Sequence, residues 1–458
     1  MKVPDDTPAP LRRRRRESPM LYSNWVRLPI GPFIRGSIRS PITLTRRAPP
    51  SASEPTADAA RLAPARGEWA ILLTLAAVQL THIVDFMMIM PLGPQFMRIF
   101  ELGPGEFSLL VSVYTFAASA SGFVAAFWID RYDRKNALIA VYLGFIVSTA
   151  LCGLANSYPL LLGARIVAGA FGGVLGALVL AIVADTIPYQ RRATATAIVA
   201  ASFSIASVAG VPLGLWIAAH LTWRAPFLAL GAMCVVVAAI AYVVLKPVTA
   251  HLEHAQVRHP VEQLRLIFGE PNHLRAFAFV IMLMFAGFTV IPFIAAYNVA
   301  NVGLAERELA ILYFAGGLAT LVTAQIFGRL ADRYGKKRLF TILAVASIVP
   351  IAASTNLPRV PLAYAVAVST IFFVIVTGRF GPAMALITGS AQPRVRGSFM
   401  SFNASLQQLG AGLAAMTSGL IIGRSADGAL TNFGAVGWLA VACTLACIVL
   451  ARRIRVVE

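Results

Sequence analysis

The sequence predicts an all-α membrane protein with twelve transmembrane helices in two six-helix bundles related by pseudo-two-fold symmetry. Three observations predict it. Hydrophobic residues make up 58% of the 458 residues and charged residues only 13%, with a mean hydropathy of +0.74; soluble globular chains carry far more charge. From Trp69 onward, apolar runs of roughly 18 to 28 residues follow one another, and about 20 such residues at 1.5 Å each span a bilayer. A charged pattern occurs twice, about 200 residues apart, each time between two apolar runs, and a duplicated loop implies a duplicated bundle.

Residues 1–66 differ from the rest. They are rich in Pro, Ser and Arg and include the run Arg12 to Arg16. They hold no apolar stretch of signal-peptide length and read as a disordered basic cytoplasmic tail. A polybasic segment of this kind either touches anionic lipid or is dispensable.

Twelve helices follow in order, near 69–94, 107–129, 136–156, 159–184, 194–217 and 222–245, then 274–298, 307–330, 338–355, 360–387, 396–422 and 433–451. Each is justified by the length of its apolar run, and each is bounded by charged or turn-forming residues. The first carries Pro91, the fifth Gly210 and Pro212, and the seventh Pro292; such breakers are tolerated where neighbours or a cavity satisfy the freed backbone. The division is therefore 67–245 for the first bundle, 246–273 for a cytoplasmic linker and 274–458 for the second bundle. The linker holds His251, His254 and His259 at irregular spacing, which suits a polar surface loop and not a metal site. Cys152, Cys234, Cys443 and Cys447 all lie in apolar runs and read as small buried residues.

The net charge of +19 invites a nucleic-acid reading, but its distribution excludes one. Lys and Arg concentrate in the tail and in the loops after the second, fourth, sixth, eighth and tenth helices, as at Arg131, Arg191, Lys246, Arg333 and Arg396. The remaining loops are poorer in them. By the positive-inside rule the even loops and both termini are cytoplasmic. No nucleophile–base set or metal spacing points to an enzyme, and no cofactor is implied.

The first copy of the loop ends Asp130-Arg131-Tyr132-Asp133-Arg134-Lys135; the second reads Gly328 to Lys337. With a six-plus-six arrangement of helices, this resembles the major facilitator superfamily over residues 69–458. The family's loop pattern, Gly-x-x-x-Asp-Arg-x-Gly-Arg/Lys-Arg/Lys, is met in the second copy by Gly328, Asp332, Arg333, Gly335, Lys336 and Lys337. The first copy departs at Ala126 and Asp133. Arg165 to Gly169 is similar to the family's arginine motif in the fourth helix. Gly210-Val211-Pro212-Leu213-Gly214 is similar to the antiporter motif of the fifth, with Val211 where Gly usually precedes Pro. The resemblance points to the twelve-helix drug:proton antiporter and sugar efflux group.

An ionisable side chain at membrane depth costs roughly 2.5–3.5 kcal/mol on the lenient scale, so the few present are candidates for chemistry. His82 and Asp85 lie at i, i+3 on one face of the first helix, extended by Gln79. Asp85 stands about 24 Å along that helix from its cytoplasmic end. Arg165 enters the fourth helix from the other side, at matching depth. Pairing favours an ionised Asp85 and burial a protonated one, and an acid balanced between the two suits proton coupling. The alternative is a fixed structural ion pair. Asp85, Arg165 and His82 are thus the proton-coupling candidates. Gln79, Tyr114, Phe288, Tyr297, Arg379, Asn403 and Gln407 are candidates for the substrate cavity, the amides because amides in lipid need partners. Ala206, Gly210 and Gly214 present a small-residue face for close helix packing. The resemblance implies that this face seals the two halves against leak.

The resemblance also implies a gating role for the loops: Asp130, Arg131 and Arg134 with Asp185 in the first half, and Gly328, Asp332, Arg333, Gly335 and Lys336 in the second. Arg134 is expected to pair with Asp185, and a loop carboxylate to cap the eleventh helix. Ser390 stands where Asp185 stands in the first half, so the relay is expected to be asymmetric.

The function expected is a monomeric secondary transporter of the bacterial inner membrane. It would export a small drug-like or sugar-like compound in exchange for protons. An uncoupled sugar or metabolite facilitator is the alternative; a membrane sensor or scaffold would need a soluble output domain that the sequence does not show.

Overall fold

Long apolar segments that must satisfy their own backbone groups in lipid become helices. The computed structural model describes residues 66–249, 260–392 and 395–457. Among these, eleven helices are long and apolar enough to cross a membrane. They are α1 Gly67–Met88, α2 Pro104–Ala125, α3 Arg134–Leu154, α4 Tyr158–Thr186, α5 Thr194–His220, α6 Ala225–Val244, α7 Pro271–Val302, α8 Glu306–Tyr334, α9 Lys336–Thr355, α10 Leu362–Ser390 and α12 Phe433–Arg453. The twelfth, α11 Arg396–Ile421, has the length but not the hydropathy. Its Ser, Asn and Gln residues dilute the apolar signal. It is packed between other helices, with Asn403, Ser405 and Ser418 buried. Residues 1–65 and 250–259 lie outside the described residues, and with them the tail and the three linker histidines.

The pairing of helices carries the symmetry. In the first half α1 packs on α5 and α6, α2 on α4, and α3 on α4 and α6. In the second half α7 packs on α11 and α12, α8 on α10, and α9 on α10 and α12. Adding six to each number maps one set onto the other. The contacts between halves obey the same rule: α2 meets α11, and α5 meets α8.

Among the described residues four helices are interrupted at prolines, where a missing N–H and a ring clash disturb the ladder; one is α9, which breaks at Ser347 ahead of Pro350. In α5 a π-turn covers Ala206–Gly210, with the Val211 N–H reaching back to the Ala206 carbonyl just before Pro212. In α7 a 3₁₀ turn covers Ile291–Phe293 around Pro292. α10 breaks at Arg379, ahead of Pro382. The first helix ends at Met88, before Pro91, and the chain turns into a short helix, Gly93–Ile99. The expectation of a continuous run to about residue 94 is corrected there.

The two halves are stitched along α2 and α11. Ser112 Oγ donates to the Gly412 carbonyl at 2.9 Å and Ser119 Oγ to the Ser405 carbonyl at 2.8 Å. On the face opposite the duplicated loops, Arg98 forms a bidentate ion pair with Glu306, and Phe107 meets Phe293 edge-on at 5.5 Å. α8 meets α5 chiefly through the π-turn and the segment after it, where Gly317 lies against the Ser207–Val208 backbone.

Candidate functional site: a buried ion pair and its polar neighbours

The first half builds one site from four helices. α1 supplies Asp85, α4 supplies Arg165, α3 supplies Thr149 and α2 supplies Tyr114. Arg165 Nη1 donates to Asp85 Oδ2 at 2.8 Å, and Thr149 Oγ1 donates to Asp85 Oδ1 at 3.3 Å. Asp85 and Arg165 are 0% and 1% exposed, so neither charge shares its partner with bulk water. The guanidinium carbon lies 4.3 Å from the centre of the Tyr114 ring, a cation–π contact. Tyr114 stacks on Phe86 at 5.4 Å, and Phe86 approaches Phe288 of the second half at 6.1 Å. An aromatic chain thus runs from the ion pair to the partner bundle.

Glycines on α4 make this packing possible. A Cβ at Gly169 would sit 2.2 Å from the Tyr114 carbonyl oxygen, and one at Gly173 would sit 2.3 Å from that of Ala118. These two positions, four residues apart, let α2 and α4 approach backbone to backbone. Gly172 and Gly176 lie on the neighbouring face. They face the side chains of Tyr114, His82 and Gln79. Gln79 Oε1, both ring nitrogens of His82 and Tyr114 Oη have no hydrogen-bond partner among the described residues.

The structure therefore brings Gln79, His82, Asp85, Tyr114 and Arg165 together, with Phe288 at their border. Arg379 and Tyr297 lie elsewhere. The Arg379 guanidinium is buried inside the second half. It donates to Thr444 Oγ1 at 2.9 Å, Ser347 Oγ at 3.1 Å and the Ala286 carbonyl at 2.8 Å. Tyr297 donates to the Leu357 carbonyl at 3.1 Å and packs on Phe433. Asn403 is fully buried with neither amide atom partnered among the described residues, and Gln407 is half-buried. Thr149, Gly172 and Gly176 escape the sequence reading. Four-residue glycine spacing on the fourth helix is a signal that could have found the last two; nothing local marks Thr149.

The duplicated loops differ in detail. In the second, Gly335 has φ +91°, a left-handed conformation that favours glycine. In the first, Asp133 has φ −55° and caps α3 instead. It accepts from the backbone N–H groups of Lys135, Asn136 and Val248, tying the loop to the start of the linker. Arg134 Nε donates to Asp185 Oδ2 at 3.1 Å and Nη1 to the Ile129 carbonyl at 3.3 Å. The Asp130 side chain lies outside the described residues. Arg131, Asp332, Arg333 and Lys336 are exposed. Gly328, Asp332 and Lys336 line a cavity of about 290 Å³ between α8 and α10. Ser390 Oγ bonds its own helix at the Ile387 carbonyl. Gly210 and Gly214 face α1, against Val84 and Met88, within the same half. The glycine that brings α5 close to the other half is Gly317 of α8. The small-residue face sits one residue off the surface that meets α8.

The sequence profile of the Major Facilitator Superfamily matches residues 75–415 and 276–458. The chain belongs to this superfamily. It is a membrane transporter and not an enzyme. The chain is 24% identical over 274 residues to Multidrug resistance protein 2 of Bacillus subtilis (strain 168), covering 58% of this chain and 68% of that protein. It is 24% identical over 358 residues to the uncharacterized MFS-type transporter YceJ of the same organism, covering 77% and 88%. Among solved structures, the fold is similar to a D-xylose–proton symporter, with a TM-score of 0.68 at 15% identity over 83% of this chain and 97% of that one. It is also similar to a bacterial homologue of the lysosomal transporter Spinster in an inward-facing, unoccupied conformation. The TM-score there is 0.64, at 17% identity over 86% and 96%.

Proposed function

We propose that this transporter exports a small organic compound, drug-like or sugar-like, from the bacterial cytoplasm in exchange for protons. The observation that carries the reading is the fully buried Asp85–Arg165 pair beside the unpartnered polar atoms of Gln79, His82 and Tyr114. A carboxylate held by one guanidinium and one hydroxyl changes its charge when a proton displaces the guanidinium. That switch alters the balance between the two packings of the bundles. Substrate and proton then alternate at neighbouring positions on α1. The similarity to a multidrug resistance protein supports the drug-like side of the reading. The positive-inside pattern supports cytoplasmic termini, which places the Arg98–Glu306 face outside and the duplicated loops inside. Nothing in the mechanism calls for more than a monomer.

Asp85→Asn tests it. Asparagine keeps the shape and a hydrogen-bonding group but does not titrate. Uptake into inside-out vesicles is measured with and without an imposed pH gradient. The variant is expected to fold and to exchange substrate at zero gradient, while losing gradient-driven accumulation. Accumulation at the wild-type level would remove Asp85 from the coupling role. Gradient-independent transport by the wild type would favour the uncoupled facilitator.

A further inference from the structure

We infer that the substrate group seated beside His82 is uncharged and hydroxyl-bearing, and that Gly172 is the specificity-determining residue that keeps its place open. The inference rests on reading this cluster as the transporter's substrate site.

Charge accounting comes first. Among the described residues the buried charged side chains are Asp85, Arg134, Arg165 and Arg379. Each has a partner. Asp85 and Arg165 hold each other, Arg134 holds Asp185 at the loop end of α3, and Arg379 is engaged by two hydroxyls and a carbonyl. In the first half no buried charge is left without a counter-charge to meet a substrate cation or anion, and Arg379, which has neutral partners only, lies inside the second half away from this cluster. A cation approaching Tyr114 would also face the Arg165 guanidinium already lying on that ring, and like charges in a dry site repel strongly.

Apart from Arg165 Nε, which belongs to a guanidinium already neutralised by Asp85, what is left over in this cluster is neutral. Gln79 Oε1 accepts, Tyr114 Oη donates or accepts, and a neutral imidazole offers one donor and one acceptor. Gln79 and His82 lie one turn apart on α1, and His82 and Tyr114 approach each other across Gly172. Unmade hydrogen bonds in a buried site are costly, and a ligand bearing several hydroxyls supplies both kinds of partner at once. The rings of Phe86 and Phe145 give the site apolar walls, the usual setting for a few convergent polar groups.

Gly172 stands where these groups meet. A Cβ there would lie 2.4 Å from Tyr114 Oη and 3.0 Å from His82 Cδ2. Any side chain would therefore push the phenol and the imidazole apart, or occupy the space a ligand hydroxyl needs. At Gly176, one turn further, a Cβ would make only ordinary contact with Gln79, whose amide atoms lie 3.9 Å away, so the steric demand is specific to Gly172.

The test is binding without a gradient. The full chain in nanodiscs is screened by thermal unfolding against a pool of uncharged glycosides and nucleosides, and against the lipophilic cations ethidium and tetraphenylphosphonium. Members of the uncharged pool should raise the midpoint and the cations should not. For the best binder, Gly172→Ala and Tyr114→Phe should each weaken affinity about tenfold or more. Tyr114→Phe removes only a hydroxyl and keeps the test open if Gly172→Ala fails to fold. Stabilisation by a cation, by no uncharged member, or by an uncharged binder whose affinity Tyr114→Phe leaves unchanged would each overturn the inference. The proton-coupling reading fails separately, if a wild-type chain that passes this test moves its ligand independently of a pH gradient.

Discussion

Replacing Arg379 with methionine separates two roles that a guanidinium inside a transporter can have. Replacing a substrate ligand would lower substrate affinity; replacing a structural clasp would leave affinity unchanged. The structure gives the magnitude. Ser347 and Thr444 keep other partners in the variant, since their hydroxyls also bond the Ala344 and Ala440 carbonyls at 2.7 and 2.8 Å. The Ala286 carbonyl is the group left exposed to the change. In the broken stretch of α7 the Val290 N–H turns to Gly287, and Arg379 takes the Ala286 carbonyl. Leaving that carbonyl unmet costs about 1–3 kcal/mol. Against this, the variant no longer buries a cation, worth roughly 2.5–3.5 kcal/mol on the lenient insertion scale. The two effects nearly cancel, as they often do when a buried charge gives way to an apolar side chain of similar volume. Arg379→Met is therefore expected to shift stability by less than about 2 kcal/mol in either direction and to leave substrate affinity unchanged. Thermal unfolding in detergent and counterflow in proteoliposomes measure the two. A variant with the wild-type unfolding midpoint and a tenfold loss of affinity would refute the reasoning and return Arg379 to the cavity.

Other expectations follow from the geometry. Arg134→Ala breaks the pair with Asp185 at the loop end of α3 and should bias the conformational equilibrium by on the order of 1 kcal/mol, about fivefold; turnover should fall while detergent affinity holds, and the opposite pattern would contradict a gating role. Glu306→Gln removes the Arg98 clasp between the halves, and because the Arg98 side chain is 65% exposed the effect should stay below about 1 kcal/mol and fade at high salt. Spin-label distances across that face would read it, and a large salt-independent opening would show that the clasp does more than a surface pair. Single cysteines at Glu101 and Lys336 test sidedness: an impermeant reagent applied to whole cells should label the first and not the second, and the reverse would invert the topology.

The sequence by itself determined the number, order and approximate extent of the helices, because hydrocarbon leaves an apolar chain no other way to satisfy its backbone. It determined the two-fold repeat, because the duplicated loop is local and its residues are contiguous. It also singled out Asp85, Arg165, His82, Gln79 and Tyr114, since polar groups at membrane depth are few. What it did not contain was direction. Whether a side chain on a helix faces its own bundle, the other bundle or a cavity depends on rotation about the helix axis, and packing sets that rotation. Arg379 shares the bare description of Arg165, a guanidinium in a corresponding helix, yet it turns toward α7, α9 and α12 and finds only neutral acceptors there. Gly210 and Gly214 have the spacing of a sealing face, yet they turn toward α1, and Gly317 of α8 makes the close approach. Thr149 joins Asp85 from 64 residues away, and Gly172 clears space for side chains on two other helices. These are contacts between distant segments, set when four helices close around one carboxylate.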